Sequence, residues 1–510
     1  MIVAIAGATG NMMKKSIRMI LDMDKSIQVR ILTRNPTAKC VKEWSRVYSD
    51  RFSVIKGNIF ERNDVEKLVK DATYMINAAA IIPPKSDRDI VYSTKVNYNG
   101  AVAVADVIKE TNPNCALIHI STIAIYGNRN YKHPWGRVGD PLLPSVYDYY
   151  GSAKLKGERY VVECGLKKWA VIRQTGMLYS NILMNNINDP LMFHTPLNVP
   201  IEWSTDEDSS RLIKNIIEKD MNNECNDFWY NIYSLGGGES QRVTGFDTFQ
   251  IGFSLMGGDA YNFVKPNWHA IRNFHCFWMC DSDELEKMFH FQNETFESFF
   301  KRAVKEHPII RMGRFAPKYL ITFFVFKRLL KDKHSPMYWI EHNDINRVNA
   351  SFGGMERAKS INEDWNNFCL LKNNQNPDTG EFIDYEKLRD IKNATFLSHG
   401  YDENKDTITI DDVKNASEYR GLRCVDTLGI TGCIEKDDYF KKLLFEDMST
   451  REKFSMSPFG LIRAGYGSPF LSEGNPWHED KINSYPFYNN VWIDSHSENE
   501  RTWTYKNTVD

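Results

Sequence analysis

The chain has 510 residues, length enough for two to four domains, with 25% charged residues and a formal net charge of −2. That balance offers no basic face for nucleic acid and no lipid surface. Nine cysteines are scattered along it, and the close group Cys276 and Cys280 beside His275 reads as buried or idle thiols, so no metal site is expected.

Residues 2–5 form a short apolar run, the pattern of a strand buried on both faces. Gly7, Ala8, Thr9 and Gly10 break it. An apolar stripe through Ile17, Ile20 and Leu21 then marks a helix. Strand, glycine turn and helix aim backbone N–H groups and a helix N-terminus at a phosphate. Glycine suits the turn because it takes positive φ and lets a pyrophosphate approach closely. Met13 stands where a third glycine would complete the fingerprint, and its bulk predicts a slightly wider gap between helix and strand. Alone, the pattern fits an ordinary strand–helix turn equally well. A strand starting at residue 2 leaves no room for a signal peptide, which points to a cytoplasmic protein with reduced thiols. The apolar run over 319–326 is far short of the roughly 20 residues that span a bilayer. Its basic flanks read as the end of a buried helix rather than an interfacial one.

A second strand over 28–33 ends in Thr33, Arg34, Asn35 and Pro36. In a dinucleotide fold that end faces the adenine ribose, where a carboxylate suits a 2′-hydroxyl and an arginine a 2′-phosphate. Arg34, with no acid in the turn, favours NADP(H), with NAD(H) as the alternative. A third strand over 52–56 leads into Gly57, Asn58 and Ile59, and helix signals follow over 63–69. A fourth strand over 74–77 ends in Ala78, Ala79 and Ala80, small enough for a flat cofactor to lie against. A helix is expected from about 89 to 110, then a strand over 116–120 ending in Ser121 and Thr122. A helical segment over 147–163 and a strand over 169–173 follow. Strands alternating with helix-length connections predict a parallel sheet with right-handed crossovers.

Tyr150 and Lys154 lie four apart, one turn from each other on one helix face. Hydride transfer at carbon needs a proton handled on the adjacent oxygen, and a lysine ammonium beside a tyrosine would depress the phenol's pKa toward use as a base. Thr122, at a strand end, could hold the substrate oxygen.

Together these residues resemble the extended short-chain dehydrogenase/reductase family, the NAD(P)-dependent epimerase/dehydratase-like branch. The matching pieces are Gly7-Ala-Thr-Gly10, Gly57-Asn58-Ile59, Asn77-Ala-Ala-Ala80, Val96-Asn97-x-x-Gly100, Ser121-Thr-Ile-Ala-Ile-Tyr-Gly127, Tyr150-x-x-x-Lys154 and Arg173. They span residues 1–180, with a weaker likeness to about 300. The resemblance implies a Rossmann-type doubly wound parallel sheet of class α/β, with a smaller substrate-binding lobe. It implies Tyr150 as general acid/base, Lys154 as a ligand of the nicotinamide ribose that also tunes Tyr150, and Thr122 as the group that orients the substrate oxygen. Gly7, Thr9, Gly10, Asn11 and Met12 would line the pyrophosphate. Asn58 and Ile59 would flank the adenine, with Thr33 and Arg34 at its ribose, and Ala78, Ala79 and Ala80 would face the middle of the cofactor. Asn97 reads as a structural hydrogen-bonding residue. Asn58 stands where the family usually has aspartate.

Dehydratases of this family carry Asp-Glu directly after the catalytic threonine. Ile123 and Ala124 stand here, which argues against that class. An NAD(P)-dependent ketone or aldehyde reductase, or alcohol dehydrogenase, is the first reading and a sugar-nucleotide epimerase the second. A catalytically silent cofactor-binding interaction protein is the reading from another class. The aromatic-rich lobe, about 175–305, suggests an apolar or aromatic small-molecule substrate. Beyond the NAD(P)-binding unit, 1–305, an extension over 306–400 is expected to be mostly helical. A small module over 401–510, including a capped helix over 407–421, should pack on the reductase or on the second subunit of a homodimer.

Overall fold

The computed structural model describes residues 1–388 apart from 128–130, 132–133, 137, 139–143, 146, 183–188, 256, 310–314 and 316–321. The expectations for 401–510 lie outside the described residues.

The expected alternation is present. In chain order it runs β1 (Ile2–Ala6), α1 (Asn11–Met23), β2 (Gln28–Thr33), α2 (Lys39–Val47), β3 (Phe52–Lys56), α3 (Arg62–Val69) and β4 (Tyr74–Asn77). Then come α4 (Lys85–Arg88), α5 (Ile90–Thr94), α6 (Gly100–Thr111), β5 (Ala116–Thr122), α7 (Tyr149–Glu163), β6 (Trp169–Gln174), α8 (Asp206–Met221) and β7 (Asn231–Leu235). The seven strands form one sheet in the order β7-β6-β5-β4-β1-β2-β3, and every neighbouring pair is parallel. This is the doubly wound Rossmann order, and it reverses direction between β1 and β4.

Residues alternate strictly between the two faces of the sheet. Ala4, Met75, Leu117 and Val171 pack with Val65 and Leu68 of α3, Val104 of α6 and Val161 of α7. Val3, Ile5, Ile76, Ile118 and Ile172 pack on the other face with Ile17 and Ile20 of α1, Trp44 of α2 and Leu212 and Ile216 of α8. Both faces are covered by helices, which explains why the strands read as continuous apolar runs. Met13 is 1% exposed inside the second cluster, so the space a third glycine would leave is filled by a core side chain.

The helix expected from about 89 to 110 is present as one continuous helical run, Ile90 to Thr111, with a change of winding inside it. A π-helical turn, Lys95–Asn99, separates α5 from α6. Within it Asn97 is 1% exposed. Its side chain accepts from the Ile81 N–H at 3.0 Å and donates to the Ile81 carbonyl at 2.9 Å. Asn97 therefore pins the loop after β4, the structural part expected of it. Gly100 lets α6 approach that loop region, because a Cβ there would meet Ile59 Cγ2 at 2.7 Å.

The stretch read as a lobe does two jobs. It returns α8 and β7 to the main sheet, and it builds a small layer from short strand pairs. Pro200–Glu202 runs antiparallel to Arg242–Thr244, and Trp278–Met279 pairs with Trp135–Gly136. Glu202 ties this layer together. It is fully buried and is met by Arg242 at 2.8 Å, the Ser282 hydroxyl at 2.6 Å, and the N–H groups of Met279 and Gly238 at 2.9 and 3.1 Å. A buried carboxylate needs such a set of donors.

The extension packs on the lobe. Phe326 and Leu370 join Phe193, Phe246 and Phe253 in one apolar cluster, and Trp339, Val348 and Phe352 join Ala270 in another. Its described part holds short helices, Pro336–Glu341, Ile345–Phe352 and Met355–Ser360, joined by turns.

Candidate active site

A cavity of about 240 Å³ opens where the sheet order reverses. Open α/β sheets bind ligands at that crevice, outside the carboxyl ends of the strands. Gly7, Thr9, Gly10, Thr33, Arg34, Asn58, Ile59, Ala78, Ala79 and Ala80 all line it. Gly7 has φ of +83°, and a Cβ there would lie 2.4 Å from the carbonyl carbon and oxygen of Ala78. The turns after β1 and β4 therefore touch, and only glycine lets them. Gly10 caps α1 without a side-chain bond, so first-turn N–H groups of α1 remain without intrahelical acceptors. A cradle of this kind fits a dinucleotide pyrophosphate.

Asn11 and Met12 are the first two residues of α1. Neither side chain lines the cavity. Met12 is 7% exposed and packs in the core, while its carbonyl accepts from the Ser210 hydroxyl of α8 at 2.6 Å. The α1 surface that could follow the cofactor is covered by α8 instead.

Thr122 closes β5, where its hydroxyl oxygen accepts from the Ala124 N–H at 3.2 Å, and Tyr150 lies in the first turn of α7, close enough for the Thr122 hydroxyl to act on the phenol. Lys154 follows one turn later and is 2% exposed. Its ammonium donates to the Ile120 carbonyl on β5 at 2.5 Å, and burial lowers its own pKa to about 8, against the pull of Glu158. Burial pushes the Tyr150 phenol up to about 12, with the Thr122 hydroxyl opposing and Asp148 adding to the rise. The phenol is thus held protonated.

Beneath this group lies a buried polar layer. Arg173 on β6 and Glu158 on α7 are both fully buried and paired at 2.6 Å. The Ser121 hydroxyl donates to Glu158 at 2.5 Å, and Arg173 donates to the Tyr126 hydroxyl at 2.6 Å. His119 lies in the same layer, with Nδ1 3.4 Å from the Asn77 amide. Burial and the Lys154 charge keep it neutral.

Asp148 was not singled out in the sequence. It caps α7 by accepting from the Gly151 N–H at 2.7 Å. Burial raises its carboxyl to about 7, and His275 Nδ1 stands 3.9 Å away. An aspartate immediately before a helix start is a readable cap signal, and its nearness to Tyr150 follows from two positions along the chain; only the approach of His275 is tertiary.

A second cavity, of about 280 Å³, begins at Pro83 and Pro84, two residues beyond Ile81 of the first. Trp203, Phe249, Phe253, Phe274 and Phe300 are its aromatic lining, and among the described residues Asp189 is the one charged side chain there. Phe274 stacks on His275 at 5.1 Å, which links this wall to Asp148 and the Tyr150 helix. Of the aromatics in the lobe sequence, Trp203 and Phe274 line the cavity. Phe228, Trp229, Tyr233, Trp268 and Phe277 are core residues, and Tyr230 packs against the core. Phe249, Phe253 and Phe300 were missed because an aromatic in a helix reads as core until the helices are placed. Among the described residues no cluster of three or more His, Cys, Asp or Glu could hold a metal ion, and no helix is long and apolar enough to cross a membrane.

No curated protein matches the chain. Among solved structures it is similar to a dTDP-glucose 4,6-dehydratase of Bacillus anthracis in complex with NAD, at 16% identity and a TM-score of 0.47 over 61% of this chain and 98% of that one. It is similar to a UDP-glucose 4-epimerase of Thermotoga maritima with UDP-glucose, at 17% identity and a TM-score of 0.47 over 61% and 99%. Residues 1–192 match the family described as the RmlD substrate binding domain, and this agrees with the resemblance to the extended short-chain dehydrogenase/reductases carried by the motifs of the same stretch.

Proposed function

We propose that the protein is an NAD(P)-dependent oxidoreductase that reduces an apolar ketone or aldehyde, or oxidises the corresponding alcohol. The observation that carries the proposal is the glycine-floored cavity at the switch point of a parallel sheet, with Thr122 at the end of β5 and Tyr150 in the first turn of α7. Bound there, a nicotinamide dinucleotide supplies or accepts hydride. Gly7, Gly10 and the α1 N-terminus would hold its pyrophosphate, and Ala78 to Ala80 its middle. Arg34 would meet a 2′-phosphate, which favours NADP(H) over NAD(H).

The chain's own part is proton handling and placement. Thr122 and Tyr150 together hold the substrate oxygen. A phenol raised to about 12 keeps its proton at neutral pH, which suits donation to a carbonyl oxygen as that oxygen gains negative charge. Lys154, fixed on β5 through the Ile120 carbonyl, sits where it would reach the nicotinamide ribose after leaving that carbonyl.

The wall of the second cavity favours an apolar substrate over a sugar nucleotide. Among the described residues its lining is mainly apolar, and Asp189 would repel a diphosphate. The epimerase reading is correspondingly weaker. NADPH oxidation should be followed with a panel of aromatic and alicyclic ketones, and with UDP- and dTDP-glucose. Turnover of the ketones, reduced about a thousandfold or more by Tyr150→Phe, is the expected result. Turnover of a sugar nucleotide alone would overturn the substrate reading. Cofactor binding with no turnover of any carbonyl compound would favour a silent interaction protein.

A further inference from the structure

The resemblance leaves Tyr92 without a part, yet it lines the dinucleotide cavity together with Arg34. Arg34 comes from the end of β2 and is exposed, so nothing on its own strand holds it. Tyr92 comes from α5, across the cavity mouth. The Arg34 guanidinium lies over the Tyr92 ring, 5.2 Å from its centroid, and donates a hydrogen bond to the phenolic oxygen. Tyr92 is itself held on two sides. Its backbone N–H is capped by Asp89 at 2.9 Å, and its ring meets Phe60 edge-on at 6.0 Å.

We propose that Tyr92 is a coenzyme-specificity residue that presets Arg34 for a 2′-phosphate. This rests on the NADP(H) reading of the cavity. A free arginine must give up much rotamer freedom to bind a phosphate. Stacking on a ring and bonding to its oxygen remove part of that freedom before the ligand arrives, and such preorganisation appears as affinity. The phenolic oxygen occupies one N–H of the guanidinium and leaves four for phosphate oxygens. The effect is selective, because a ligand with a free 2′-hydroxyl makes no demand on Arg34.

The test is calorimetric titration of the full chain with 2′,5′-ADP and with ADP-ribose, probes that need no turnover. Wild type, Tyr92→Phe, Tyr92→Ala and Arg34→Glu are compared, with melting curves to verify folding. Tyr92→Ala should weaken 2′,5′-ADP about tenfold, the size expected from losing an exposed cation–π contact and one hydrogen bond, and should change ADP-ribose less than about twofold. Tyr92→Phe, which keeps the ring, should fall between. Equal weakening of both probes would make Tyr92 a general adenine contact and overturn the proposal, as would no weakening in either variant while Arg34→Glu abolishes 2′,5′-ADP binding. Wild type binding ADP-ribose better than 2′,5′-ADP, unchanged by Arg34→Glu, would bring down the NADP(H) reading and this proposal together.

Discussion

Replacing Arg173 by methionine tests the buried layer under the active site. The guanidinium is fully buried and meets Glu158 at 2.6 Å through one nitrogen and at 3.1 and 3.3 Å through another. Its third nitrogen donates to the Tyr126 hydroxyl at 2.6 Å and the Val138 carbonyl at 2.8 Å. Methionine fills similar volume but withdraws the cation that neutralises a fully buried Glu158. Breaking a buried pair from one side costs about 3–5 kcal/mol, a large part of the roughly 5–15 kcal/mol that holds a domain folded. With an unfolding entropy of about 0.6 kcal/mol per kelvin for some 300 ordered residues, the melting temperature should fall by about 5–8 °C. The double variant Arg173→Met with Glu158→Leu removes both charges and should regain most of the loss, since an apolar pair of similar volume is often neutral. Scanning calorimetry and urea titration measure both. A single variant within about 1 kcal/mol of wild type, or a double variant as unstable as the single, would refute the account of Glu158 as a charge held by Arg173.

Gly7→Ala should cut dinucleotide binding by at least about tenfold and lower the melting point. The new Cβ meets backbone atoms of Ala78 and Ala79 at 2.4–2.6 Å at a φ of +83°, with roughly 1–2 kcal/mol of conformational strain added. Gly10→Ala meets only the Gly7 carbonyl oxygen, at 3.2 Å, and should be much milder in the same thermal-shift titration. Lys154 has a folded pKa depressed from 10.5 to about 8, so its contribution is complete above pH 10.5 and is lost as pH falls through 8. Lys154→Met should therefore be most favourable to stability, relative to wild type, at pH 7 and least at pH 10. A stability difference that does not change with pH would contradict the burial of that ammonium. Asp148 runs the other way, its carboxyl raised from 3.8 to about 7. The stability it lends is present below pH 4 and lost as pH rises through 7, so denaturant midpoints of Asp148→Asn should lack that decline.

Much of the fold was legible because a doubly wound sheet is written locally. Strands covered on both faces need unbroken apolar runs, and the seven pieces of the resemblance fall on the strands, turns and helices of the alternation. Gly7 and the alanines Ala78 to Ala80 were readable as cofactor-facing because close approach demands small residues. The π-helical turn at Lys95–Asn99 was not readable from local spacing, nor was the bond of its Asn97 to a loop 16 residues away.

The order of the elements, the glycine turn, the Tyr150–Lys154 spacing and the Arg34 turn were determined by the sequence alone, because each depends on neighbours within a few residues along the chain. Tertiary structure decided the rest. Met12 faces the core because α8 folds back over α1. Tyr150 stays protonated because burial outweighs the nearby hydroxyl. Tyr92 reaches Arg34 across 58 positions, and the apolar cavity gathers aromatics from several separate segments. Desolvation and long-range contact are properties of the packed molecule, and no local spacing encodes them.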